Sequence, residues 1–186
     1  MLKFALIALA SVVVGLIVLS VLPQSERSIP DEAIVLQAAE LRLYPEADPE
    51  AVWFFAVERA DFLPGSRETL LHNIHQGNRS VGDTLDFTLR ADHAVIDRQD
   101  NLRGERIFVH LLEANWDLDM QGRPGRQVLI DQRQGRFEVP LLYYTGAGIG
   151  ESRDENVRMN FDLTNFEAGG PDTVGFNRFL DNPGQR

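Results

Sequence analysis

Chemistry in this 186-residue chain would have to start from its four histidines, His72, His75, His93 and His110. His72 and His75 stand three apart, a spacing that can share a metal on a helix, but no acidic residue lies at an offset that completes a ligand set. They read as solvated side chains beside a loop. His110, set among Phe108, Val109 and Leu111, reads as a sheet residue facing solvent. Asp117, Asp119 and Gly122 resemble the opening of a calcium loop, and Gln121 could serve at the fifth position. The twelfth position, which should hold a glutamate, is Val128, so the pattern fails. No G-x-S-x-G, G-x-G-x-x-G or Walker loop is present. Gly146-Ala147-Gly148-Ile149-Gly150 precedes the acidic run Glu151-Ser152-Arg153-Asp154-Glu155, which repels phosphate, so it reads as a hairpin loop. Asn78-Arg79-Ser80 is formally a glycosylation triplet. With no cysteine, disulfides and thiolate metal sites are excluded. The expectation is a protein that is not an enzyme and holds neither cofactor nor metal.

What does stand out is apolar. Trp53, Phe55 and Val57, then Phe87, Leu89 and Ala91, then Tyr143, fall on alternate positions and predict one shared face. That face is either an ordinary core or, if two sheets splay, the lining of a groove for an acyl chain. The elements that carry it have period two. Strands are predicted over Ile34–Leu43, Val52–Val57, Leu85–Ala91, Ile107–Leu112, Trp116–Met120, Val128–Asp131, Phe137–Tyr144 and Val157–Leu163. Glu68–Ile74 and Val174–Leu180 read as a strand or a helical turn. Breaks are predicted at Leu63-Pro64-Gly65-Ser66, Gly77-Asn78, Val81-Gly82-Asp83, Asp100-Asn101 and Gln121–Gly125. Many short strands with no amphipathic helix between them predict an all-β domain, an antiparallel β-jelly roll, sandwich or barrel.

Phe4–Leu22 is a run of nineteen uncharged residues, about the length that crosses a bilayer. Its only Ala-x-Ala-like triplet, Ala8–Ala10, lies mid-run, so an uncleaved transmembrane signal anchor is expected rather than a removed leader. Lys3 on the short side keeps the amino terminus cytoplasmic and puts the large domain outside. The expected organisation is a single transmembrane helix in 1–23, a tether in 24–32, the β-domain in 33–168 and a tail in 169–186. Residues 1–30 carry a net +1 (Lys3 and Arg27 against Glu26), which leaves −11 of the total −10 on the rest. Such acidity argues against nucleic-acid binding.

Leu41-x-x-Tyr44, Trp53-x-Phe55-x-Val57-x-x-Ala60, Glu68-Thr69-x-Leu71 and Asp86-Phe87-Thr88-Leu89-Arg90-Ala91-Asp92-x-Ala94-x-Ile96-Asp97 together resemble the LptC-like proteins of lipopolysaccharide transport. The resemblance covers residues 33–97 and extends to 128–165 only in rhythm. It implies a one-helix anchor in the cell inner membrane and a periplasmic β-jelly roll. It further implies relay of lipopolysaccharide or a related glycolipid from an ABC exporter to a periplasmic bridge. Acyl chains would then lie against Trp53, Phe55, Val57, Phe87, Leu89, Ala91 and Tyr143. A β-partner would add to an open sheet edge, at Ile34, Leu36 and Leu41 on the first strand or Val157, Met159 and Phe161 on the last.

A second reading has no lipid in it. Ser11, Gly15 and Ser20 would let a partner helix approach closely, making the chain an accessory subunit whose β-domain caps a larger membrane complex.

Overall fold

The computed structural model describes residues 33–148 and 150–169, all within one compact unit, Glu32–Arg186. The span expected at Phe4–Leu22, the tether, and the tail beyond Gly169 lie outside these residues. No helix among the described residues is long and apolar enough to cross a membrane.

The described chain is all-β, with every strand pair antiparallel. Its strands are β1 (Ile34–Leu43), β2 (Ala51–Leu63), β3 (Glu68–Val81), β4 (Thr84–Ile96), β5 (Leu102–Gly104), β6 (Arg106–Leu111), β7 (Trp116–Gln121), β8 (Val128–Asp131), β9 (Arg136–Gly146) and β10 (Gly150–Asn160). β5 and β6 form one line along β4: Phe87–Arg90 face Leu111–Phe108, and Val95 and Ile96 face Arg103 and Leu102 in the same register. β7 and β8 form the next line, interrupted by an excursion at 122–127, and β9 lies along both. Merging these two pairs leaves eight antiparallel lines in chain order, each beside the next.

This up-and-down order fits the barrel among the sandwich, barrel and jelly roll that the strand rhythm left open, and differs from the jelly roll that the family resemblance implies. A jelly roll needs long crossing connections, whereas tight turns here hold successive strands together. Gly82, at φ +56, and Asp83 join Val81 directly to Thr84, the two-residue hairpin that a glycine at positive φ permits. Gly77-Asn78, predicted as a break, lies inside β3. A Cβ on Gly77 would stand 2.6 Å from Leu89 Cδ1, so the missing side chain lets β4 pack closely there.

The sheet coils into a barrel around a single apolar core. Phe87 on β4 and Phe137 on β9 are three inter-strand steps apart, about 14 Å along a flat sheet. Their ring centroids are nevertheless 5.5 Å apart. Trp53 stacks on Phe55 at 5.7 Å and meets Phe87 edge-on at 5.3 Å, while Phe161, just past β10, closes on Phe137 at 4.8 Å. Leu71, Ile74, Ile107, Leu118, Met120, Ile130 and Leu142 fill the remainder. Strand pairing does not join β1 to β10, so side chains close the roll.

Arg79 on β3 sits at that closure. Its guanidinium is 7% exposed, pairs with Asp48 and Asp86, and lies 4.8 Å from the Phe161 ring centroid.

Candidate functional site

Trp53, Phe55, Val57, Phe87, Leu89 and Ala91 share one face, and that face is the filled interior: none is more than 5% exposed. They form a packed core rather than the lining of an open groove. Tyr143 does not join them. Phe137 and Val139 point inward, but the phase slips at Pro140, so Leu142 and Tyr144 point inward next and Tyr143 faces out, 39% exposed. Pro140 supplies no N–H, and the partner chain leaves the ladder opposite it, where Asn156 takes φ +51. One slipped residue reverses every side chain beyond it.

His72 and His75 lie on a strand, not a helix. His72 Nε2 is 3.1 Å from Asp61 Oδ2, and its ring meets His93 edge-on at 5.3 Å. No group of three potential metal ligands occurs among the described residues.

Two surface features remain. The first is the free side of β1, which is hydrogen-bonded to β2 alone among the described residues. Its Ile34, Val35 and Leu36 are 54%, 46% and 45% exposed, so consecutive side chains leave apolar groups bare on both faces. Ala38, at φ +48, kinks the strand where its pairing skips a residue. Leu41 is half-buried against the core.

The other terminal strand is different. Val157, Met159 and Phe161 turn their side chains into the core, and the returning segment 164–169 covers the backbone. Arg158 and Glu167 exchange two 2.8 Å hydrogen bonds, Thr164 accepts from Asn160, and Glu155 accepts from Gly169. The uncovered half of β10, from Gly150 to Asp154, carries Glu151, Arg153 and Asp154, the charges that discourage edge pairing.

The second feature is a trough of about 410 Å³ on the outer face, across β4, β6, β7, β9 and β10. One row of register partners runs Arg90, Phe108, Asp119, Tyr143, Arg153, and the next runs Thr88, His110, Asp117, Thr145, Glu151. Phe108 and Tyr143 are both 39% exposed, unusual for rings on a charged face. Arg106 lies 4.5 Å from the Phe108 centroid and donates to Asp119 through Nε at 2.9 Å and Nη2 at 2.7 Å. Burial pushes the Asp119 carboxyl up, but hydrogen bonds from Arg106 and Gln121, with the Arg106 charge, outweigh it and hold the group below its ordinary value. His110 Nδ1 lies 2.9 Å from Asp117 Oδ1.

Sequence reading missed Phe108 and Arg79. Phe108 was hidden in the apolar run Ile107–Leu112, although Arg106, Phe108 and His110 alternate with buried neighbours. Arg79 was absorbed into a glycosylation triplet. Compared with known proteins, the chain matches no family model and no curated protein.

Proposed function

We propose that this chain is a non-catalytic, membrane-anchored scaffold whose β-domain joins a partner β-domain by strand addition at β1. The observation that carries it is a β1 edge unpaired among the described residues, with Ile34, Val35 and Leu36 bare on both faces. An exposed apolar edge is an aggregation hazard unless something covers it, and a partner strand satisfies its backbone groups and its side chains together. In this reading Phe4–Leu22 holds the scaffold at the cell inner membrane, on a transporter or other membrane complex, with the domain in the periplasm. This keeps the assembly role of the LptC-like resemblance. An acyl conduit through the interior gains no support from a face already filled by Trp53, Phe87, Phe137 and Phe161.

The test uses the full chain in its native membrane, with photoreactive benzoylphenylalanine at Leu36 or, as control, at Arg158 on the covered edge. The Leu36 probe should crosslink to a β-strand of one defined partner, and the Arg158 probe should not. The double variant I34K/L36K should lose that partner with an unchanged melting temperature. Retention of the partner by I34K/L36K, or equal capture from both edges, removes the reading.

A further inference from the structure

We infer that the outer trough between Phe108 and Tyr143 is a binding site for a neutral glycan chain. This does not rest on strand addition, since β1 takes no part in the trough. Its volume of about 410 Å³ is within the range of small-ligand sites, about 300–1,000 Å³. The two rings stand on strands separated by β7, about 10 Å apart, which leaves room for one sugar ring between two that stack. Both are braced before any ligand arrives. Arg106 lies over Phe108 and is gripped by Asp119, while Arg153 lies 5.7 Å from the Tyr143 centroid and bonds Glu155 at 2.8 Å. Rings held this way lose little freedom on binding.

The polar groups choose the ligand. Asp117, Asp119 and Glu151 are balanced by Arg90 and by Arg106 and Arg153 over the rings, so the trough holds no excess positive charge, on a chain of net −10 with histidine neutral. Phosphates and acidic lipids are therefore repelled. An alkyl chain would leave the hydroxyls of Thr88 and Thr145 and the carboxylates facing apolar groups, an unfavourable match. A pyranose fits: its C–H face covers an aromatic ring, and its hydroxyls both donate to carboxylates and accept from Arg90 and the threonines.

The experiment is saturation-transfer NMR of the full chain in a sugar-free detergent with cellohexaose, chitohexaose and maltohexaose, and with trigalacturonate as an acidic control. At least one neutral hexaose should show transfer and a Kd in the micromolar to millimolar range, and the acidic control none. Phe108→Ala and Tyr143→Ala should each weaken binding tenfold or more. Phe62→Ala, an exposed ring elsewhere, should leave it unchanged. Melting temperatures should match across the three variants. No transfer from any neutral hexaose at millimolar concentration, transfer that survives both trough variants, or equal binding of trigalacturonate overturns the assignment.

Discussion

Removing a carboxylate beside Arg79 is expected to destabilise the domain more than removing Arg79 itself. The Arg79 guanidinium is 7% exposed, whereas Asp48 and Asp86 are each 30% exposed. Arg79 Nε is buried without a hydrogen-bond partner, so the cation depends on its two carboxylates. Asp86→Ala strands a buried charge on one partner, and breaking a buried pair this way costs about 3–5 kcal/mol. Asp48 still holds one arm, which places the expected loss near the lower end, about 3 kcal/mol.

Arg79→Met takes away the charge and keeps an unbranched side chain against Phe161. The attraction lost at 4.8 Å from that ring is about 2 kcal/mol when desolvated, but the desolvation of a guanidinium is lost with it. Asp48, 30% exposed, can rehydrate, and burial already pushes the Asp86 carboxyl above its ordinary value, so without Arg79 it goes neutral more readily. The net loss is expected near 1 kcal/mol, because replacing a buried ion by an apolar side chain of similar size is often close to neutral. Urea unfolding of the full chain in mild detergent reads this directly, since both tryptophans, Trp53 and Trp116, are buried and report on the core. A loss for Arg79→Met equal to or greater than that for Asp86→Ala would refute the claim that the cation is the dependent partner.

Two further outcomes follow from the same geometry. Gly146→Ala places a Cβ 2.3 Å from Trp116 Cδ1, in a ring stacked on Tyr144 at 5.4 Å. It should cost about 1–3 kcal/mol by overpacking and shift the Trp116 emission; unchanged stability and emission would show that the ring has room to move. Because the Asp119 carboxyl is held below its ordinary value of 3.8, the stability it contributes is present above 3.8 and lost as pH falls through the depressed value. Arg106→Gln should therefore flatten the acid limb of a stability–pH curve, and a curve parallel to the parent's would contradict the pairing.

Much of the fold is legible in the sequence because a two-residue period survives wherever strands run uninterrupted. Trp53, Phe55 and Val57, and Phe87, Leu89 and Ala91, alternate without a break, and each set lies on the inner face. Tyr143 was misplaced because the period is local and the irregularity is not. Pro140 lies beside the break between β7 and β8, and nothing at 140–143 announces the excursion at 122–127. The acidic stretch Glu151–Glu155, given to no strand by the sequence reading, is part of β10, because pairing with Thr145–Leu141 outweighs low strand propensity. Whether the common face is a trough or a core depends on how tightly the sheet coils. That is set by contacts between distant strands, such as Phe87 with Phe137, which periodicity does not encode.

The unequal treatment of the two terminal strands bears most on assembly. β10 is shut along 155–160 by the returning 164–169 segment and guarded by charge along the remainder, while β1 keeps Ile34–Leu36 bare. A scaffold with two open edges would stack into a filament by repeating one head-to-tail contact. With one open edge among the described residues, strand addition stops after a single partner, so on the proposed reading the domain terminates a stack of β-domains instead of propagating it. The Ala38 kink refines the same point. It separates the apolar half of β1 from Glu40 and Arg42, so an added strand would run along Ile34–Gln37 and end where charge resumes. The short length of that apolar stretch limits the backbone bonds available, and the three bare side chains must supply much of the remaining stability of the joint.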